Sequence, residues 1–354
     1  MEKSNRNISL DLLRVIACYF VIQIHAGEAF YIGEGGKVLP GDNAMWNDIF
    51  NSIGRTAVPL FIMLTGYFLL PVKEKTSTFF KKRFTRILIP FVIWSIIYAF
   101  YMYLNGSANI KETVLNILKI PVNFGTEVGH LWYIYMLIGL YLFAPVISPW
   151  IQKVSKKGIE FFLCLWGVSL FLPYIHLFIP ELWGECYWNT TPMLYYFSGF
   201  LGYAVLGFYA KTYLNIQKKS DVPLGLLFII VGYFITYYGF LYRLNSTEFV
   251  RDLELTWSYD TINVALMSLG LFLLIKNIRI KSPALIKIIT DISLKSYGIY
   301  LIHIIILNTI QPIMNGLFPT ALQSLIPTSI VVLSLSYLII KLISFIPKSK
   351  YLIG

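Results

Sequence analysis

About ten apolar runs of roughly 20 residues recur along this chain, and they constrain its fold more than any other feature. A helix of about 20 residues crosses the hydrocarbon core of a bilayer, so each run predicts a membrane-spanning helix. Of the 354 residues, 57% are hydrophobic and 13% are charged, whereas soluble domains carry about 25% charged residues. A soluble α/β enzyme is therefore excluded. The predicted spans are residues 8–27, 49–70, 85–105, 130–149, 159–179, 191–210, 222–242, 256–275, 290–311 and 324–346.

The charges between the spans predict how the chain is oriented in the membrane. The stretch 72–86 carries six Lys or Arg residues and one Glu, and the stretch 276–287 carries four basic residues. The stretch 28–48 instead carries four acidic residues and one Lys. Because cytoplasmic loops are enriched in Lys and Arg, the basic loops are predicted to be cytoplasmic. The predicted fold is an all-α polytopic membrane protein with about ten transmembrane helices, cytoplasmic N and C termini, and a single domain over 1–354.

The formal charge of +11 does not indicate a nucleic-acid partner. The basic residues lie in short loops between apolar runs, which is the pattern of a protein embedded in a lipid bilayer. The three cysteines, Cys18, Cys164 and Cys186, have neither the spacing of metal ligands nor that of a disulfide framework. We therefore expect a bilayer as the surroundings, no nucleic-acid partner and no metal cofactor.

The first span carries ionisable residues on one face. Arg14 and His25 are eleven positions apart, and at about 100° per residue this separation exceeds three full turns by only about 20°. Asp11 lies one turn before Arg14 on the same side. Ionisable residues inside a membrane segment are costly and mark functional sites by default. Arg14 and His25 are therefore the leading candidates for chemistry, and Asp11 is a candidate substrate contact.

Other polar residues near the predicted outer membrane surface are candidates for substrate binding. Arg55 lies in an otherwise apolar run, and a nearby carboxylate or a substrate would explain its position. His130 opens the fourth span, where an interfacial anchor and a substrate contact are equally good interpretations. His303 lies about two-thirds of the way across the ninth span and could instead bond to a neighbouring helix.

Arg83 and Arg86 lie at the predicted cytoplasmic mouth of the third span. Arginines one turn apart can both bind phosphate oxygens through paired hydrogen bonds. Cytoplasmic loops of membrane proteins commonly carry such residues, however, where they bind lipid head groups or nothing. The loop chemistry alone therefore favours a structural interpretation of this pair.

Two classes of function fit this distribution of residues. One is a transmembrane enzyme that takes a phosphate-bearing donor from the cytoplasm and modifies an acceptor on the outer side. The other is a transporter with a polar pathway. Transporters commonly have broken helices at matching positions in two halves. The Gly and Pro interruptions of this chain are not paired in that way, which favours an enzyme.

Four motifs in order resemble those of the acyltransferase family 3 membrane proteins. They are Arg14-x10-His25, the segment RTAVPLFIMLTGYFL that starts at Arg55, Arg83-x2-Arg86, and SYGIYLIH ending at His303. The resemblance covers essentially the whole chain and implies a multi-pass protein of a bacterial cell membrane.

The resemblance implies O-acetylation in the cell envelope. Members transfer an acyl group, usually acetyl from acetyl-CoA, to extracytoplasmic saccharides or cell-wall polymers. By this likeness His25 and Arg14 are catalytic, and Arg83 and Arg86 bind the phosphates of acyl-CoA, which overrides the structural interpretation of that pair. Many members carry an additional extracytoplasmic hydrolase-like domain. The 354 residues show none, so we expect the membrane domain to bind the acceptor.

One branch of this family gives a different expectation. It forms the membrane half of the serine racemases of vancomycin resistance, in which a racemase domain follows and the membrane part is associated with uptake of a small amino acid such as L-serine. A chain that ends soon after its last span, at Gly354, resembles such a half as well as a complete enzyme.

Overall fold

A computed structural model describes residues 6–122, 128–179, 182, 194, 197–214 and 220–354. These residues form helices and connecting turns, and the part of the chain described contains two isolated β-bridges but no strand. The prediction of an all-α fold is confirmed. The α-helices are α1 (Ile8–Gly27), α2 (Asp42–Gly54), α3 (Ala57–Leu69), α4 (Thr76–Leu104), α5 (Ile110–Lys119), α6 (Trp132–Lys153), α7 (Lys156–Ser169), α8 (Leu172–His176), α9 (Phe200–Tyr213), α10 (Asp221–Leu244), α11 (Val250–Leu253), α12 (Ile262–Ile275), α13 (Pro283–Leu317), α14 (Ala321–Ile343) and α15 (Lys350–Ile353).

Eight helical segments of the described ranges are long and apolar enough to cross a membrane. A ninth is added if the bent pair Val250–Trp257 and Ile262–Ile275, inclined by 43°, forms one span. The prediction of a polytopic membrane protein is confirmed at this level. The predicted span 191–210 lies partly outside the described residues, and its described part is the 14-residue helix α9. The cytoplasmic position of both termini stays a prediction.

Two helices begin earlier than the hydropathy of the sequence indicates. The span predicted from residue 49 starts at Asp42, and the span predicted from residue 85 starts at Thr76. Charged and polar side chains lower the hydropathy of these first turns, but they do not interrupt the backbone hydrogen bonds of a helix. Arg83 and Arg86 therefore lie within α4 rather than in a loop.

Helix α1 is the central helix of the bundle and packs against α3, α13 and α14. Its apolar side is fully buried, for example at Leu13 and Ala17. Asn7 caps its start by accepting hydrogen bonds from the backbone of Ser9 and Leu10. A helix surrounded in this way can hold ionisable side chains away from lipid.

Helices α3 and α9 approach each other closely at two glycines. A Cβ atom on Gly66 would lie 1.9 Å from the carbonyl oxygen of Ala204, and a Cβ atom on Gly207 would lie 1.9 Å from that of Met63. Small residues allow helix backbones to approach in this way within a membrane. The pair therefore fixes the position of α9 relative to the centre of the bundle.

Two loops pack together at the end of the molecule where α1 ends. Residues 28–41 and 245–257 form this cap, and an ion pair of 3.0 Å joins Lys37 of the first loop to Glu248 of the second. Trp257 is buried there in a small apolar cluster that is separate from the main core. The cap covers one end of the bundle.

Candidate functional site

A cavity of about 1330 Å³ extends along α1 from its first turn to its last. On this helix it is lined by Asp11, Arg14, Val21, Ile24 and His25. The prediction that Arg14 and His25 share one face is confirmed. Because α1 is continuous, its rise places the two residues about 16 Å apart along the axis.

The end of the cavity near the start of α1 is rich in cations and is called the basic end. Its basic lining residues are Arg6, Arg14, Arg83, Arg86 and Lys211. Asp11 carries the one carboxylate among the described residues that line this end. Positive charges in a cleft with apolar walls raise the local concentration of anions. This end is therefore suited to phosphate groups.

Asp11 organises part of the basic end. Its carboxylate accepts hydrogen bonds from Arg6 Nε at 2.5 Å and Nη2 at 2.8 Å, and a third from Ser293 Oγ at 2.7 Å. Arg14 Nη1 lies 3.9 Å from the same carboxylate and donates to Ser293 Oγ at 3.3 Å. The substrate contact of Asp11 stays a prediction, and the structure shows it beside Arg14 and bonded to the same serine.

Arg83 and Arg86 lie on one side of α4, where residues three apart are neighbours. Neither has a carboxylate within ion-pair distance in the described ranges. Arg83 stands over the ring of Phe79 at 5.9 Å, and its buried Nε has no hydrogen-bond partner among those residues. Both guanidinium groups line the cavity and are available to an anionic ligand.

The opposite end of the cavity holds His25, in the last turn of α1, and is called the histidine end. His25 Nδ1 lies 2.7 Å from Glu28 Oε1. An ionised carboxylate only accepts hydrogen bonds, so Nδ1 is the donor, and in the neutral imidazole the lone pair is then on Nε2. The side chains of His25 and Glu28 are 18% and 41% exposed, so both can be reached from the cavity.

The contact between Glu28 and His25 was not predicted from the sequence, where Glu28 counts only as a loop charge. The signal that could have found it is the His25-x2-Glu28 spacing, which puts the two side chains on adjacent turns if the helix continues. The chain does continue beyond α1 as a 3-10 turn, Glu28–Phe30.

Three of the four histidines converge at the histidine end. The ring centroid of His25 lies 5.4 Å from that of His303 and 6.3 Å from that of His130, and those two are 5.1 Å apart. The described residues include no group of three or more His, Cys, Asp or Glu side chains arranged to hold a metal ion. The fourth histidine, His176, lies away from the cavity on α8.

His130 and His303 differ in their access to the cavity. His130 lines it, as expected for a substrate contact. His303 is fully buried and is not one of the residues that line the cavity, and its role in binding the acceptor stays a prediction. His303 Nδ1 donates to the carbonyl oxygen of Tyr300 at 2.6 Å. Its ring packs against those of both His130 and His25.

Arg55 lies in the break between α2 and α3, where it lines the histidine end. Its Nη2 donates to Glu254 Oε1 at 3.1 Å and to the hydroxyl of Tyr31 at 3.2 Å, and the guanidinium stands over the ring of Trp257 at 4.0 Å. From the sequence, a nearby carboxylate or a substrate was expected to explain Arg55, and the structure shows the carboxylate of Glu254 in the cap. Burial and the neighbouring Glu254 raise the pKa of Tyr31 well above its usual value, so its hydroxyl stays a donor to that carboxylate.

Comparison with known proteins supports an assignment to a family. The family model described as an acyltransferase domain, that of acyltransferase family 3, matches residues 7–344. An amino-acid racemase from Enterococcus faecalis is 24% identical over an alignment of 328 residues, which covers 87% of this chain and 42% of that protein. The chain thus spans about two-fifths of the length of this relative. No solved structure matches.

Proposed function

The chain belongs to the acyltransferase family 3, and on this premise we propose that it moves an acyl group, acetyl first of all, from acyl-CoA to a hydroxyl group of an extracytoplasmic acceptor. The donor enters from the cytoplasm at the basic end, and the acceptor meets the acyl group at the histidine end. The observation that carries this proposal concerns the two ends of one cavity. One end is lined by Arg83 and Arg86, which have no carboxylate partner among the described residues, and the other by the His25–Glu28 pair.

The donor is held through its phosphates. Arg83 and Arg86 bind the diphosphate of CoA, because two guanidinium groups one turn apart can each make paired hydrogen bonds to phosphate oxygens. The pantetheine arm then extends along α1 and brings the thioester to His25. Arg14 lies about 16 Å from His25 along the helix, too far to contact the carbonyl that His25 activates. Arg14 therefore positions the donor rather than stabilising the oxyanion.

His25 acts as the general base. Its Nε2 removes the proton from the acceptor hydroxyl as the hydroxyl oxygen attacks the thioester carbonyl carbon. The tetrahedral intermediate collapses with cleavage of the carbon–sulfur bond, and the CoA thiolate receives the proton from His25. Two features stabilise the transient imidazolium: the carboxylate of Glu28 at 2.7 Å, and the negative end of the helix dipole in the last turn of α1.

The acceptor is bound by the wall of the histidine end. His130 and the rings of Trp132 and Tyr259 line this part of the cavity. Aromatic faces beside hydrogen-bonding groups suit a saccharide or cell-wall acceptor, whose rings present both apolar faces and hydroxyls. Arg55 also lines this end, where its ion pair with Glu254 holds it in place.

Acetyl-CoA turnover by the purified protein in lipid nanodiscs tests the proposal. His25→Ala is expected to lower turnover by about 10²- to 10⁴-fold, the usual contribution of a general base. His176→Ala is the matched control, because His176 lies outside the cavity and should leave turnover unchanged. Equal turnover in wild type and His25→Ala would exclude the catalytic assignment.

A second candidate is supported by the aligned amino-acid racemase, whose match covers 87% of this chain. In this alternative the chain is the membrane part of a resistance protein of that type, and the cavity passes a small amino acid such as L-serine. Uptake of labelled L-serine into proteoliposomes, without acetyl-CoA consumption, would favour it over acyl transfer.

A further inference from the structure

Lys211 is a cation of the basic end that the mechanism above leaves without a role. It lies in the last turn of α9, and its ammonium stands 5.8 Å from the ring centroid of Tyr67 in α3. In the described ranges it has no carboxylate within ion-pair distance. Among the described residues its charge thus has no counter-ion, and Lys211 lines the cavity.

The position of Lys211 is fixed by close helix packing. Gly66 and Gly207 let α3 and α9 approach until a Cβ atom at either site would overlap a backbone carbonyl of the other helix. Lys211 follows Gly207 by four residues, so the lysine is one turn from this contact. A cation on such a rigid support can define a binding site more precisely than a cation on a loop.

Lys211 and the arginine pair belong to different helices. Arg83 and Arg86 project from α4, whereas Lys211 projects from α9, which packs on α3. The guanidinium of Arg14 stands over the ring of Phe68 at 5.5 Å, and this ring is next to that of Tyr67, over which Lys211 lies.

This placement of Lys211 and of the arginine pair on different helices matches the separate phosphates of coenzyme A. The molecule carries a diphosphate, and separately a phosphomonoester on the 3′-oxygen of its ribose. Two arginines one turn apart suit the diphosphate, and a lysine, as a compact point charge, suits an isolated phosphate dianion.

We propose that Lys211 forms a subsite for the 3′-phosphate of the acyl-CoA donor. The proposal rests on the proposed function, because it assumes that CoA is the ligand of the basic end. It makes Lys211 a specificity-determining residue, which distinguishes CoA from donors that lack the 3′-phosphate. The phosphomonoester chemistry could also come from an anionic lipid such as phosphatidic acid, so the experiment includes both sources.

The test measures the affinity of the protein for CoA and for 3′-dephospho-CoA, in nanodiscs of phosphatidylcholine with and without phosphatidic acid. Wild type is expected to bind CoA about tenfold more tightly, because a charge-assisted hydrogen bond contributes on that scale. Lys211→Gln is expected to bind both ligands equally, with the affinity for 3′-dephospho-CoA unchanged. The control is Lys287→Gln, at an exposed lysine of α13 that does not line the cavity, and it should retain the wild-type preference.

Three results would overturn the subsite. Lys211→Gln could keep the tenfold preference for CoA, or it could weaken the binding of both ligands equally. It could also keep the preference in phosphatidylcholine and differ from wild type only when the nanodiscs contain phosphatidic acid. In each case acetyl-CoA turnover by wild type would leave the proposed function standing. A wild-type protein that binds neither CoA nor 3′-dephospho-CoA would instead refute the proposed function itself.

Discussion

Replacing Glu28 by glutamine tests whether this carboxylate activates His25. The substitution keeps the size of the side chain and an oxygen that can accept a hydrogen bond, but it removes the negative charge. In the structure Glu28 Oε1 lies 2.7 Å from His25 Nδ1. If His25 is the general base, loss of this charge destabilises the imidazolium that forms during acyl transfer, and kcat falls.

The size of the effect follows from the geometry. A hydrogen bond to a charged group contributes about 1.5–3 kcal/mol. Glu28 is 41% exposed, so solvent screening reduces this value, and the glutamine oxygen retains a neutral hydrogen bond. About 1.4 kcal/mol of the transition-state stabilisation is then lost, which lowers kcat about tenfold.

The assay is steady-state release of free CoA thiol from acetyl-CoA by the protein in nanodiscs, with soluble cell-wall fragments as the acceptor. Glu28→Gln should lower kcat with little change in the KM for acetyl-CoA, because the residue is remote from the basic end. The matched control is Glu34→Gln, at an exposed carboxylate of the same loop, which should behave as wild type.

A double-mutant cycle decides whether Glu28 acts through His25. In a His25→Ala background the Glu28→Gln change should have no further effect on turnover, since the group that it orients is already absent. The reasoning is refuted if Glu28→Gln retains wild-type kcat, or if the two changes lower turnover independently in the double variant.

Three further outcomes are expected. Replacing Arg83 and Arg86 together by glutamine should weaken CoA binding about 100-fold in calorimetry, because two charge-assisted contacts to phosphate are lost. Unchanged affinity would contradict the proposed donor site. Gly207→Ala should lower the melting temperature in detergent, since its Cβ would lie 1.9 Å from a carbonyl oxygen, and such overpacking costs about 1–3 kcal/mol. The control Gly139→Ala has open space and should be neutral or stabilising. Equal shifts of the melting temperature in the two variants would refute the close α3–α9 contact. His303→Phe should lower kcat about fivefold while the KM for the acceptor stays constant, because His303 packs on His25 and does not line the cavity. A raised acceptor KM with normal kcat would instead support its predicted role in binding the acceptor.

The membrane fold could be predicted from the sequence because its cause is local. A lipid-embedded backbone must satisfy its hydrogen bonds within each segment, so every apolar run of sufficient length becomes a helix. Helix starts were less predictable. Thr76 begins α4 nine residues before the apolar run does, because polar residues at a membrane surface extend a helix without raising its hydropathy.

The arrangement within one helix was equally predictable. Arg14 and His25 share a face of α1 because the turn of an α-helix fixes the angle between them, and the structure places both in one cavity. Glu28 follows from the same rule once the helix is known to continue past His25 as a 3-10 turn.

Contacts between distant parts of the chain were decided only by the tertiary structure. Glu254 is 199 residues from Arg55, and no periodicity relates them, yet the packing of the cap brings their charges to 3.1 Å. Lys211 reaches the basic end because Gly66 and Gly207 allow two backbones to touch. The sequence thus determined which segments form helices long and apolar enough to cross a membrane and which side chains share a helix face, since both depend on local geometry. Helix packing decided the partners of Arg55, the burial of His303 and the gathering of cations from three helices. Packing is a property of the whole chain.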